Sequence, residues 1–351
     1  MLSAWGRWQH KPFRQEMLMS VKAFLATTGH GLTSAARGTN GAWSVEVLLA
    51  EQDVRCLAAD PLNPQVLYAG TQGNGVLRSN DGGKTWHGAG LAGLLVKALA
   101  VSPTQPGTVY AGTKPALLFV SRDGGASWTE LSAFRRIPSR WFWFTPAEKP
   151  HSAYVQAIAL SPTDPKTLLV GIEFGAVVQS RDSGQSWTGH RRGALRDCHQ
   201  LSFHVTQSDW VYEAGGTGAG VSVSRDAGAT WIQPREGLDR HYGWAVAADP
   251  AHPEVWYASF APGPRSAHSE HNAQAVIVRS IGGAVWQPLS GGLPQPLNHM
   301  PYALLTDPTA PGHVYTGLSN GEVWHSTDHG ETWRRLPVQF GKIHRTLVLL
   351  P

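Results

Sequence analysis

Cysteine is nearly absent: Cys56 and Cys198 are the only two in 351 residues. Both sit in apolar, strand-like runs and read as small buried side chains rather than redox centres or metal ligands. Charged residues make up 15% of the chain, with a net charge of +4 and no run of basic residues. That excludes the clustered basic stripe of a dedicated nucleic-acid binder. No uncharged apolar run approaches the roughly 20 residues that cross a bilayer as a helix. The first 18 residues carry Arg7, Lys11 and Arg14 around no apolar core, so they lack the pattern of a secretory signal. Residues 1–18 are expected to be a flexible N-terminal extension, with Met17 and Met19 as alternative starts, before one domain at 19–351. These absences point to a cytoplasmic protein that does not engage a membrane. Helical periodicity is also missing, whereas 39 glycines and 24 prolines punctuate the chain.

What the chain does have is one signature repeated. Ser-x-Asp-x-Gly-x-Thr/Ser-Trp occurs at 79–86, 121–128, 180–187, 224–231 and 326–333, and worn copies stand at 37–43 and 280–286. The seven tryptophans Trp43, Trp86, Trp128, Trp187, Trp231, Trp286 and Trp333 are separated by 42 to 59 residues. A period of that size, built from short Val-, Leu- and Tyr-rich runs closed by Gly or Asp-Pro, marks a β-propeller with one four-stranded antiparallel blade per repeat. The end of the chain, 342–351, repeats the first-strand pattern with no blade after it. The N-terminal unit, 21–29, starts at a second strand. The C-terminal strand is therefore expected to complete blade 1, close the ring and remove an open sheet edge. The fold class is all-β, a seven-bladed β-propeller.

The signature resembles the Asp-box, or BNR, repeat of sialidases, sortilin-type receptors and photosystem II assembly-factor propellers, over nearly the whole chain. The resemblance implies that each box closes the hairpin between third and fourth strands, on the face opposite the usual ligand entrance. Asp81 can accept backbone N–H bonds across such a turn while Gly82 and Gly83 take positive φ. Asp81, Asp123, Asp182, Asp226 and Asp328 are thus expected to staple turns, not to catalyse. The likeness to sialidases stops at the repeat. Arg136-Ile137-Pro138 occurs only after the third blade's box, where that family does not place its Arg-Ile-Pro, and sialidases have six blades. A true sialidase is not expected.

First strands line a propeller's channel. The residue six before the Pro that ends each one is Arg55, Lys97, Gln156, Trp244, Tyr302 or Arg345, with His199 in the corresponding place in blade 5, which lacks the Pro. Three permanent cations with His, Gln, Trp and Tyr around one axis suit an anionic or polar ligand. Two cations ~8 Å apart repel by ~2 kcal/mol at an effective dielectric of ~20, so a ring of them favours a bound anion. The alternative is a solvated channel whose polar groups pair with Asp53, Asp197 or Glu173.

Two insertions join the same face. Residues 131–152 carry an aromatic stretch, 134–144, with Arg140 and Trp141 as further ligand-binding candidates; it covers a ligand, a protein partner or the propeller itself. Residues 261–275 hold His268, Glu270 and His271, and with His241 and His299 they offer a candidate divalent-metal site. A glycosidase needs two facing carboxylates, and the candidates are Asp53, Glu173, Asp197, Glu270 and Glu322. Three functions follow: a propeller binding a small molecule or glycan at the channel mouth, a glycoside hydrolase or lyase acting from that face, and an assembly scaffold docking a protein through 134–144.

Overall fold

The computed structural model describes residues 21–351 except Ala147 and Ala284; the extension expected at 1–18 lies outside the described residues. Seven antiparallel sheets stand around one axis. Blade 1 has Leu347–Leu350 innermost, followed by Ala23–Thr27, Leu32–Arg37 and Trp43–Leu48. The two ends of the chain thus pair in register, Ala23 opposite Leu350 and Ala26 opposite Leu347, and the ring closes as expected. The first strands of blades 2 to 7 are Val54–Asp60, Leu95–Val101, Val155–Leu160, Cys198–Phe203, Tyr242–Ala248 and Pro301–Thr306.

Five sheets have four strands, but blades 4 and 5 have three, a departure from the uniform four expected. In blade 4 the reason is visible. The N–H groups of Gln179 and Val177, which a fourth strand's carbonyls would accept, donate to the Thr188 hydroxyl at 3.1 Å and to His190 Nδ1 at 3.2 Å. Side chains take part of the ladder, and the outer strand loses its regular pairing. In blade 5 only the Val223–Ile232 bridge remains.

The Ser, Asp and Thr/Ser of each complete box are wired alike. The Ser79 hydroxyl donates to Asp81 Oδ1 at 2.7 Å, and the same carboxylate accepts the Thr85 N–H at 2.9 Å and the Thr85 hydroxyl at 2.6 Å. Asp123, Asp182, Asp226 and Asp328 repeat the pattern. Gly82 and Gly83 have φ of 73° and 92°. Those bonds pull the Asp81 carboxyl well below its ordinary range, the Thr85 hydroxyl contributing most. The Trp86 indole N–H closes the turn on the Gly83 carbonyl at 2.8 Å. Gly82 N–H bonds to Gln65 O beside the Asp60-Pro61 turn, so the boxes lie at the end of the blade away from the start of the first strand.

Neighbouring blades approach closely at the second-strand glycines. A Cβ on Gly171 would lie 2.2 Å from Cys198 Sγ in the next blade, and one on Gly112 would lie 2.3 Å from Val155. Both cysteines are free and buried. No helix among the described residues is long and apolar enough to cross a membrane.

Candidate functional site

All seven ring residues line one cavity of about 250 Å³ on the axis. Their convergence has a local cause. In blades 2, 3, 4, 5 and 7 the pairing of the first strand slips by one residue at Arg55, Lys97, Gln156, His199 and Tyr302, and in blade 6 it slips across Trp244 and Ala245. A β-bulge leaves the extra residue unpaired and re-aims its side chain; here it turns each one toward the channel. Arg345 precedes the closing strand of blade 1.

A wider cavity of about 490 Å³ opens above, sharing Arg55, Trp244 and Arg345 with the first and adding Glu148, Glu173, Asp197 and His268. At the far end, a third of about 690 Å³ is lined largely by prolines and apolar residues.

The ring is not a set of open cations. Arg55 is ion-paired with Asp53 and donates to Gln72 Oε1 at 2.6 Å. Lys97, only 3% exposed, pairs with Glu148 and stands 4.2 Å over the Tyr154 ring. Desolvation, and then Arg345, pull its ammonium down to about 8 against the pull of Glu148. Lys114 joins the same carboxylate at 3.6 Å. Arg345 donates to Gln156 Oε1 at 3.0 Å, and Gln156 Nε2 to the His199 carbonyl at 3.3 Å. Of the two readings of the ring, the paired one describes it: Asp53 and Glu148 hold Arg55 and Lys97, and Glu173 and Asp197 stand in the same wall.

An aromatic wall completes the mouth. Trp244 packs against His199 at 4.5 Å and Tyr302 at 4.9 Å between ring centres. The Tyr302 hydroxyl donates to the Ala267 carbonyl, so it accepts from His268 Nδ1 at 2.7 Å; His268 Nε2 then accepts the Tyr242 hydroxyl at 3.2 Å. That chain needs a neutral imidazole, and desolvation does lower the His268 pKa.

The histidine site expected from sequence does not assemble. His268 is committed to two tyrosines, His271 lies 5.7 Å from His299 between ring centres, and His241 joins no such group. Among the described residues, the one group of three metal-type ligands is Glu173, Asp197 and His199, with one ligand atom from each lying within 4.8 Å of the others. Burial raises the Glu173 pKa. Burial opposes charge on His199 too, but Asp197 and then Glu173 outweigh it and its pKa is raised. Of the other carboxylates, Asp53 pairs with Arg55, Glu270 is exposed and lines neither cavity, and Glu322 is held by Arg335 and the Trp324 indole.

The 131–152 insertion does two things. Phe134, Ile137 and Trp143 are buried, while Trp141, Phe142 and Phe144 are 91%, 82% and 57% exposed. Arg140 donates to the Ala116 carbonyl, and neither it nor Trp141 lines the channel cavities. Glu148, the insertion's single carboxylate, pairs with Lys97 and Lys114 in the cavity wall, and sequence reading missed it. Its isolation among aromatic and basic neighbours was the available signal.

The BNR/Asp-box repeat family matches at residues 324–335. The chain is a seven-bladed β-propeller, and the last of its boxes matches that repeat. No curated protein sequence matches it. Among solved structures it is similar to an ancestral GH74 enzyme (19% identity, TM-score 0.63), covering 80% of this chain and 38% of that one. It is also similar to the GH74 xyloglucanase of Xanthomonas campestris (18%, TM-score 0.60), covering 89% of this chain and 46% of that one. A third similar structure is YCF48 from Cyanidioschyzon merolae (13%, TM-score 0.57), covering 84% of this chain and 87% of that one. The chain thus spans less than half the length of these two GH74 proteins, and at these identities the likeness concerns the fold.

Proposed function

We propose that this propeller binds a polar small molecule or glycan at the mouth of its channel. The observation that carries this reading is the convergence of seven residues, one per blade and six of them at bulges, on a cavity that opens into a wider mouth. Together the two cavities fall in the ~300–1,000 Å³ range usual for ligand sites. The charge balance favours a neutral or zwitterionic ligand over a strong anion. The Trp244–Tyr302 wall offers an apolar face beside paired hydrogen-bonding groups, which suits a saccharide with its mixed faces. The similar GH74 structures are consistent with a saccharide, whereas hydrolysis is a weaker reading: Glu173 and Asp197 meet, but both are sunk in the wall beside His199.

Calorimetry of the purified chain against neutral, anionic and zwitterionic saccharides tests the proposal. A neutral or zwitterionic member should bind, and Trp244→Ala should weaken it at least tenfold. If no member binds, or if Trp244→Ala changes nothing, the reading fails. A second reading rests on a separate surface, the exposed Trp141, Phe142 and Phe144, which fit a protein partner with an apolar face. Replacing all three by Ala should then abolish partner capture and leave saccharide binding intact.

A further inference from the structure

Glu173 lies just past the second strand of blade 4 (Leu168–Ile172), where its N–H bonds to the Tyr154 carbonyl. Asp197 and His199 flank Cys198 at the bulged start of blade 5's first strand. The bulge re-aims the His199 ring, and it and the Asp197 carboxylate meet Glu173 across the gap between blades. All three side chains are more than nine-tenths buried. We propose that Glu173, Asp197 and His199 bind one divalent first-row transition ion, in the Mn²⁺ to Zn²⁺ range, in the wall of the mouth cavity.

Three further observations support a built site. Asp197 Oδ1 is buried and has no hydrogen-bond partner among the described residues. His199 Nδ1 is held 2.7 Å from the Gly243 carbonyl. That bond places a hydrogen on Nδ1, so Nε2, which faces Asp197, is the nitrogen that would take an ion in exchange for its proton, the second-shell arrangement common to metal-ligating imidazoles. Gly216 leaves room for the carboxylate, since a Cβ there would sit 2.0 Å from Asp197 Oδ2.

His199 Nε2 and Asp197 Oδ2 are 3.5 Å apart, close to the ~3.4 Å between two tetrahedral ligands at ~2.1 Å from an ion; Glu173 completes the set by a small side-chain movement. One nitrogen and two carboxylates suit borderline ions over the soft Cu⁺ or the all-oxygen preference of Ca²⁺. Three protein ligands leave coordination positions open toward the cavity. The ion would also offset two carboxylates buried together, an arrangement costly without a counter-charge.

The test uses the full chain, stripped with EDTA and titrated with Mn²⁺ alone, followed by spin resonance and competition with Zn²⁺. One ion per chain is expected, with a single imidazole nitrogen coupling in the electron spin-echo spectrum. Asp197→Asn and Glu173→Gln should each lower affinity at least 100-fold, while His271→Ala and His241→Ala leave it unchanged. The ion should bind with no saccharide present, which separates this site from the saccharide reading. Absence of a stoichiometric ion, no nitrogen coupling in the wild type, or loss of the ion on His271→Ala would each overturn the assignment. The wild-type spectrum decides the matter even if a variant fails to fold.

Discussion

Arg345 donates to Gln156 Oε1 at 3.0 Å, linking the segment that closes blade 1 to the first strand of blade 4. Both residues line the axial cavity, and Arg345 also lines the wider one. A ligand in the mouth meets a guanidinium that is already oriented, and orientation before binding lowers the entropy lost on association. Arg345→Ala should weaken the saccharide at least tenfold. Gln156→Ala removes only the support and should weaken it a fewfold. The double variant should resemble Arg345→Ala alone, since residues in one network are not additive. Strictly additive losses would show that Gln156 does not act through Arg345.

Burial pushes the Glu213 carboxyl up to about 8, although the Leu195 N–H and the Ser222 hydroxyl both donate to it; Cys198 and His199 are the other titratable groups facing it. The folded value is raised above the ordinary 4.5. Its contribution to stability is therefore fully present below 4.5 and lost as pH rises through about 8. Glu213→Gln keeps an acceptor for both bonds and cannot ionise. Its thermal midpoint should exceed the wild type's by an amount that grows between about pH 5 and 8.5, corresponding to a few kcal/mol at the upper end. Parallel midpoint curves for the two proteins would rule this out.

Phe134 is fully buried against Trp143 and Trp187, whereas Trp141 and Phe142 stand in solvent on the same insertion. Phe134→Ala should cost about 3–5 kcal/mol. Trp141→Ala and Phe142→Ala should leave chemical denaturation within about 0.5 kcal/mol of wild type. A large loss from either exposed aromatic would mean that it packs on the propeller.

At the blade 4–5 seam, Gly171→Ala would place its Cβ 2.2 Å from Cys198 Sγ. Overpacking of this kind costs about 1–3 kcal/mol. Cys198→Ala in the same chain should recover part of the loss. No recovery would locate the strain elsewhere.

The boxes should carry stability and no function. Asp328→Ala removes the acceptor for the Ser326 hydroxyl and for the Thr332 N–H and hydroxyl, a cost of about 1–2 kcal/mol. Because the boxes lie at the far end of the blades, saccharide affinity should not change. A changed affinity would contradict the placement of the site.

Asp81 and its four counterparts were legible in sequence because turn chemistry is local: a Ser, an Asp and a Gly at fixed offsets bond among themselves. The ring was legible for a related reason, since a Pro ends most first strands and fixes the offset of the bulge. Lys97 shows where this stopped. Its residue type announced a cation, but its partner Glu148 comes from an insertion whose path depends on Phe134 and Trp143 packing down. Glu173, Asp197 and His199 meet across two blades, and no spacing along the chain records that distance. The pairs His268–Tyr302 and His268–Tyr242 are hidden in the same way, which is why the loop histidines suggested a metal site that the fold does not build.

The claim that the channel mouth is the binding site is tested most directly by fluorine resonance on the chain labelled with 5-fluorotryptophan, the Trp244 signal being assigned from a Trp244→Phe variant. Titration with the tightest saccharide should shift the Trp244 signal and leave the exposed Trp141 and the box Trp86 unmoved. Movement of Trp141 with Trp244 silent would place binding on the aromatic insertion and contradict the account.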